Sequence, residues 1–404
     1  MTDRGRLRGL PSVDEVLSRP AVRALAERLG RPAARSAARS AIALARARLL
    51  AGAQVSQDDP VPDDAVAALA ASESAPRLRR VINATGVVLH TNLGRAPLHP
   101  EAVARVAEVA SGYSNLELDL ATGKRGHRSA AVAPLLCDLF GAPAAHVVNN
   151  CAGATLLALA AVGAGGAAVV SRGELVEIGG GFRVPEILVQ SGCRLVEVGT
   201  TNRTRLADYE SALDQLGREG TRCLLLRVHR SNFALLGFTE EPSLAALAGL
   251  ARKHKVPLLH DLGSGAVATQ AAPGLPPEPT PAASLRDGAD LVMFSGDKLM
   301  GGPQGGILLG TEDLIGRVRS HPLSRALRAD KMLLAALEAT LQIYRQGRAG
   351  ELPALAALSA DGAVLGQRAT RLGLLLQERG IAATVVECEG RAGGGALPLV
   401  RLAS

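Results

Sequence analysis

Between residues 81 and 310 the chain alternates short apolar runs with longer amphipathic stretches. The runs Ala145–Val148, Ala167–Ser171, Arg194–Val198, Cys223–Val228, Val256–Leu259, Leu291–Phe294 and Ile307–Leu309 are rich in Val, Leu and Ile, as strands buried on both faces are. Helical segments lie between most of them, and this alternation predicts an α/β fold with a largely parallel sheet of seven strands, covered on both faces. The last return, across the short Gly-rich loop after Phe294, is expected to run antiparallel.

The flanking regions read differently. Residues 11–30 predict helix, with Ser12 as N-cap, Glu15 closing a capping box, Pro20 dividing the run and Gly30 ending it. Residues 33–50 predict a second helix on which Arg35, Arg39 and Arg46 share one face, while Ile42 and Leu49 supply the apolar side. A linker over 51–64 and a short helix over 65–72 follow. Five prolines in 271–281 mark an exposed excursion. Past residue 320, helices are expected at 331–345 and 361–379, then a strand at Ala382–Glu387 before the glycines at 393–395. Three domains result: a helical one over 1–75, a large α/β one over 76–320 and a small one over 321–404.

Composition narrows the class. With 404 residues, 47% hydrophobic, no tryptophan and five phenylalanines, the core must be built from Ala, Leu, Val and Ile. No uncharged apolar run is long enough to span a membrane and the N-terminus lacks a signal-peptide pattern, so a soluble, cytoplasmic protein is expected. Five scattered cysteines without a C-x-x-C pair fit reduced thiols and no metal site. The net charge is +7, and the first fifty residues hold eleven arginines against four acidic residues. An arginine-rich terminal domain on an otherwise balanced chain points to a polyanionic partner, nucleic acid above all; an Arg-rich composition alone is the plainer alternative.

The candidate chemistry centres on Asp290–Gly310, DLVMFSGDKLMGGPQGGILLG. Lys298 follows an apolar strand and is hedged by Gly301, Gly302, Gly305 and Gly306, which suggest close backbone approach. A lysine in an apolar strand-end setting can serve as a nucleophilic amine, as imine formation with pyridoxal phosphate requires. Ser295-Gly296-Asp297-Lys298 also fits S-x-x-K, but the companion motifs of that acyl-transfer class are absent. Asp261 follows the run VPLL and can hold a pyridinium nitrogen; Gly263-x-Gly265-x-x-Ala268 alternatively fits a dinucleotide fingerprint, placed too late in the chain for that role. Asn149-Asn150-Cys151-Ala152-Gly153-Ala154-Thr155 opens an apolar helix whose free N–H groups suit a phosphate, or is a plain turn capped by Asn150. Arg95, Arg128, Arg325 and Arg328 suggest an anionic co-substrate, with Arg325 and Arg328 three apart on one helix. His229, at another strand end, is a candidate to lie over the cofactor ring.

Five motifs, LRGLPSVDEVL at 7–17, INATGVVLHTNLGRAPL at 82–98, YSNLELDLATGKRGHR at 113–128, GTTNRTR at 199–205 and SGDKLMGGPQGG at 295–306, resemble bacterial selenocysteine synthases, the L-seryl-tRNA(Sec) selenium transferases. The resemblance runs from residue 7 to about 390. It implies a fold-type I pyridoxal-phosphate transferase and a homodecameric ring of dimers with active sites between subunits. It also implies an N-terminal domain that grips the selenocysteine tRNA charged with serine. Lys298 then carries the cofactor and takes the seryl α-proton, water leaves to give an aminoacrylyl-tRNA, and selenophosphate supplies selenium. Asp297, Arg95, Arg128, Arg325 and Arg328 line the anion site, and Asp261, Cys151, Ala152, Gly153, His229 and Ser295 hold the cofactor. Family members continue past residue 404, so an incomplete C-terminal domain is expected. Two other readings compete: a related fold-type I lyase acting on a small amino acid or sugar acid, and an inactive form that only binds tRNA.

Overall fold

The computed structural model describes residues 7, 9–53, 56, 59–178, 181–268 and 275–403. Two compact units emerge, Met1–Ile82 and Asn83–Ser404.

The first unit is helical: α1 (Val13–Ser18), α2 (Pro20–Leu29), α3 (Arg31–Leu50) and α4 (Asp63–Ser74). Its entry is the expected capping box, in which the Glu15 amide donates to Ser12 Oγ (3.2 Å) and the Ser12 amide to Glu15 Oε2 (3.3 Å). Pro20 opens α2 because its missing N–H has no partner to lose there. Ala34, Ala37, Ala38, Ala41, Ile42 and Ala45 form the buried stripe of α3, packed with Val16, Val22, Leu25, Val66 and Ala70. Small side chains on that stripe let the other helices approach closely. Arg35, Arg39 and Arg46 lie on the exposed face, as their spacing predicts. Of the expected linker, residues 54, 55, 57 and 58 lie outside the described residues; Arg19 Nη1 ties its far end by bonding Val61 O (2.7 Å) and Asp63 Oδ1 (3.0 Å).

The second unit is built on strands β1 (Ala144–Val148), β2 (Ala167–Ser171), β5 (Arg194–Val198), β6 (Cys223–Val228), β7 (Leu258–Gly263), β8 (Leu291–Ser295) and β9 (Gly306–Gly310), with β3 (Glu177–Ile178) and β4 (Phe182–Arg183) forming a separate small ribbon. The sheet order is β1-β9-β8-β7-β6-β2-β5. Only β9 runs antiparallel, to both β1 and β8, which is the return expected across the Gly-rich loop. This is the α/β fold-type I architecture expected from the sequence. Side chains alternate across it: Leu291, Met293 and Leu308 pack on one face beneath the helix Cys151–Gly163. Val292, Phe294, Ile307 and Leu309 face the helices Ala133–Phe140 and Lys331–Arg345. Phe294 meets Phe140 edge-to-face with centroids 5.2 Å apart.

Four expectations need correction. First, β7 begins at Leu258 and runs through the polar His260 and Asp261, because β6 and β8 pair with it on both sides. Tertiary pairing here overrides an apolar pattern that ends at Leu259. Second, Ala382–Glu387 is not a strand: the segment is largely exposed, and the C-terminal strands are β10 (Glu389–Gly393) and β11 (Ala396–Ala403). Their hairpin turns on Gly394 and Gly395, both with positive φ as a tight two-residue turn requires. Residues 86–89 run beside it, with Val88 N–H donating to Arg391 O (2.9 Å) and Leu89 N–H to Ala392 O (2.8 Å). Third, the glycines after Lys298 serve internal packing. A β-carbon at Gly306 would lie 2.1 Å from the Asn150 carbonyl, so the close backbone approach is to the chain itself. Fourth, residues 275–280 of the proline segment form no helix or strand, but they are not the exposed excursion expected, since Leu275, Glu278 and Thr280 are buried; 271–274 lie outside the described residues.

Candidate active site

Strand register decides which of the expected residues meet. Val228 pairs with Asp261, Gly263 with Phe294, Ser295 with Gly306, and Gly306 in turn with Val148. His229, Asp261, Ser295–Lys298 and Asn149–Gly153 therefore emerge along one edge of the sheet, where ligands of open α/β sheets sit.

Lys298 is buried, with Nζ next to two glycines that sequence reasoning passed over for this role. A β-carbon at Gly263 would stand 3.8 Å from Nζ, and one at Gly395, in the hairpin turn, 3.4 Å. These missing side chains leave space around the amine. Asp261 is also buried, and Thr155 Oγ1 donates to its Oδ2 (2.9 Å). Burial pushes the Asp261 carboxyl above its ordinary value, against the opposing pull of Thr155 and Lys298. Burial first, and the Asp261 carboxylate second, push the Cys151 thiol far up as well, which removes it as a thiolate nucleophile.

Asp297 is held from two sides. Ser295 Oγ donates to its Oδ1 (2.7 Å) and Arg95 Nη1 to its Oδ2 (2.9 Å), so the Ser295 hydroxyl is occupied by the aspartate. Arg95 adopts φ 59°, a left-handed conformation rare for a side chain of its size, and its Nε is buried without a partner among the described residues. The helix Cys151–Gly163 starts as the plainer reading expected: Asn150 Oδ1 accepts the Gly153 N–H (2.8 Å). The Gly153 amide is thereby taken, and the amides of Cys151 and Ala152 are the first-turn donors left at that terminus.

The other three arginines assemble elsewhere. Arg128, Arg325 and Arg328 line a cavity of about 410 Å³ with Arg319, His146 and Glu117, and Lys298 is not among its lining residues. Arg325 and Arg328 do not share a helix: Pro322–Ala326 ends before Arg328, which bridges to Val148 while the Asn149 amide bonds Leu327 O (2.8 Å). Pairing with the end of β1 breaks the helix, and both arginines still reach the cavity. Two histidines, His127 and His146, also line it; His146 is neutral, since burial and neighbouring Arg319 hold it down at about 4.

His229 sits beside Asp261, its amide donating to Asp261 O (2.8 Å), and its Nε2 lies 3.1 Å from buried Glu278. Sequence reasoning gave Thr155 no role of its own and missed Glu278, Glu117 and Gly395. Thr155 had a signal, one turn after Cys151 on the helix that opens at the site. Glu117 lies within the quoted motif at 113–128. Glu278 and Gly395 are joined to the site only by tertiary structure. The residues following Gly265 form no helix through Ala268, so the dinucleotide fingerprint has no structural support.

The buried polar groups fit pyridoxal phosphate. Lys298 offers an amine, Asp261 a carboxyl with one oxygen committed to Thr155, and Ser264 a fully buried hydroxyl that has no partner among the described residues.

Comparison with known proteins is consistent with that set. Residues 81–404 match the L-seryl-tRNA selenium transferase family, and residues 7–46 match the selenocysteine synthase N-terminal family. A curated L-seryl-tRNA(Sec) selenium transferase of Methylocella silvestris is 47% identical over 98% of this chain and 84% of its own length. The one from Hyphomonas neptunium is 45% identical, over 98% and 86%. Among solved structures, D-glucosaminate-6-phosphate ammonia-lyase superposes with a TM-score of 0.55 at 20% identity, over 77% of each chain, which is a likeness of fold. The family match covers the sheet, its strand-end lysine and the arginine cavity alike, and the chain belongs to the L-seryl-tRNA(Sec) selenium transferase family.

Proposed function

We propose that this chain converts the seryl group carried by the selenocysteine tRNA into a selenocysteinyl group, with pyridoxal phosphate at Lys298 and selenophosphate in the arginine cavity. One observation carries the reading. Buried Lys298 and buried, Thr155-bonded Asp261 stand at neighbouring strand ends in a chain 47% identical to a curated transferase of that name. Bound there, pyridoxal phosphate supplies an aldehyde for the lysine amine and a ring that takes up the electron pair released at the seryl α-carbon.

The chain's own residues supply the rest. Asp261, buried within reach of Lys298 and His229, favours a protonated ring nitrogen as partner. The Cys151 and Ala152 amides, at the positive end of their helix, bind the phosphate. His229, oriented by Glu278, would hold the ring from one side. The amine of Lys298 takes the seryl α-proton. Arg95, locked on Asp297, and the trio Arg128, Arg325 and Arg328 bind selenophosphate and the tRNA terminus. Arg35, Arg39 and Arg46 on the exposed face of α3 contact tRNA phosphates. Exposed Tyr113, Leu118 and Leu120, beside Glu117, support a homo-oligomer in which a second copy covers that loop.

The test separates the two units. Lys298→Ala is expected to abolish selenium transfer and leave tRNA affinity unchanged. Arg35→Ala with Arg39→Ala is expected to weaken tRNA binding and flatten its salt dependence by about one to two charges. Loss of tRNA affinity in Lys298→Ala, or unchanged affinity in the double variant, contradicts this division.

A further inference from the structure

The arginine cavity holds a single carboxylate among its described lining residues, Glu117. Glu117 Oε1 accepts from Arg128 Nε (2.9 Å) and Nη2 (2.7 Å), and Oε2 accepts from Arg125 Nη2 (2.8 Å). Arg328 Nη1 lies 3.6 Å from the same Oε1. The Arg128 and Arg125 bonds hold the Glu117 carboxyl below its ordinary range, so it is an anion at neutral pH. Arg128 has a second tether, Nη1 to Ala329 O (3.0 Å), that does not depend on Glu117. A cavity built only to hold an anion as tightly as it can has no use for a resident carboxylate on two of its cations.

We infer that Glu117 is an internal counter-anion that occupies the cationic fork of Arg128 and Arg328 and keeps the cavity's affinity for phosphate low enough for turnover. The inference rests on the selenophosphate reading above. Summed over that reaction, seryl-tRNA and selenophosphate give selenocysteinyl-tRNA and orthophosphate; C–O and P–Se bonds break, and C–Se and P–O bonds form. Orthophosphate is left where selenophosphate had bound, with nearly the same charge and shape. Only a site that binds both weakly lets the product go, and a negative charge within a few ångströms weakens both.

The experiment is calorimetric titration of the cofactor-loaded, full-length protein with inorganic phosphate. Glu117→Gln preserves shape and leaves Arg128 tethered to Ala329, and is expected to tighten phosphate about tenfold. Phosphate inhibition of turnover should strengthen to match, with KM for selenophosphate and kcat falling together. Arg125→Ala provides a second variant of opposite sign, because Arg125 is exposed, bonds only the outer oxygen of Glu117 and does not line the cavity. Its removal leaves more of the Glu117 charge facing the cavity, and phosphate should weaken two- to threefold by about the same Coulomb argument. Unchanged or weaker phosphate binding in Glu117→Gln, or unchanged or tighter binding in Arg125→Ala, overturns the inference. Phosphate affinity unaffected by Arg325→Ala would instead overturn the anion-site reading itself, and the inference with it.

Discussion

Two carboxylates of this protein meet cations and respond in opposite directions. Asp261, buried at the end of β7, has its carboxyl pushed up by burial, although Lys298 and Thr155 pull the other way. Glu117, about a quarter exposed at the arginine cavity, is pulled down by its bonds to Arg128. Near Lys298 the cost of removing charge from water exceeds the gain from a neighbour. In the cavity the charge-assisted bonds win because water still solvates the pair. The first region is thus suited to hold a cofactor whose own charge completes it, and the second to exchange small anions.

The comparison can be broken most severely at Asp261. Asp261→Asn is expected to weaken pyridoxal phosphate retention and slow turnover by about 10²-fold or more, read by cofactor titration and single-turnover rates. The same change should make the cofactor-free protein more stable at neutral pH. The sign follows from the raised carboxyl: a group that binds its proton more tightly in the folded state favours folding at low pH. That contribution is lost as pH rises above the unfolded value toward the folded one. Thermal melts from pH 4 to 8 should therefore converge for wild type and Asp261→Asn at the acid end and separate at the neutral end. Parallel curves would contradict the burial argument.

A smaller effect is expected at the wall of the lysine chamber. Gly395→Ala places a methyl 3.4 Å from Nζ at a φ of 73°, while Gly380→Ala imposes the same φ of 73° with nothing within 4 Å. Both should lose about 1 kcal/mol of stability to backbone strain. Only Gly395→Ala should also slow reductive methylation of Lys298, followed by peptide mass spectrometry. Equal labelling rates would show that the turn does not wall the amine.

The carboxylate of the cavity contributes less to the fold. Glu117→Gln should lower stability at neutral pH by less than about 1 kcal/mol, as part-exposed ion pairs do. Because the Glu117 carboxyl is depressed, that contribution is present above its unfolded value and fades as pH falls through the folded one. The smallest effect on the chemistry lies in the helical unit. Ser12→Ala removes the capping box and should cost about 1 kcal/mol there, seen in melts of the N-terminal unit, with cofactor titration unchanged.

Much of this was legible in the sequence, for reasons that mark where legibility ends. The strands at Ala167–Ser171, Arg194–Val198 and Cys223–Val228 are short Val- and Leu-rich runs between turn residues, and local pattern fixes their bounds. The capping box at Ser12 and the start of α2 at Pro20 are likewise local. The C-terminal hairpin was not legible, because Ala382–Glu387 has the stronger strand composition and lacks a partner, while Glu389–Gly393 gains one in residues 86–89. In the site, strand-end residues such as Asp261 and Lys298 announce themselves through the runs before them. Glu278 and Gly395 belong to a loop and a turn whose neighbours are far away in the chain, and no spacing rule reaches them; Glu117 shares one irregular motif with its partners Arg125 and Arg128, where no helix or strand period shows that they meet. The Gly-rich loop misled for a related reason: its glycines do mark close approach, but to Asn150, Thr340 and Leu352 of the same chain.

The central claim is that Lys298 carries pyridoxal phosphate, and the most direct measurement is the visible absorbance of the purified protein before and after borohydride, followed by peptide mapping. The account predicts an imine chromophore that borohydride bleaches, with the reduced pyridoxyl group on the peptide containing Lys298. A protein that cannot be given such a chromophore with added pyridoxal phosphate, or a label that maps to another lysine, would contradict it.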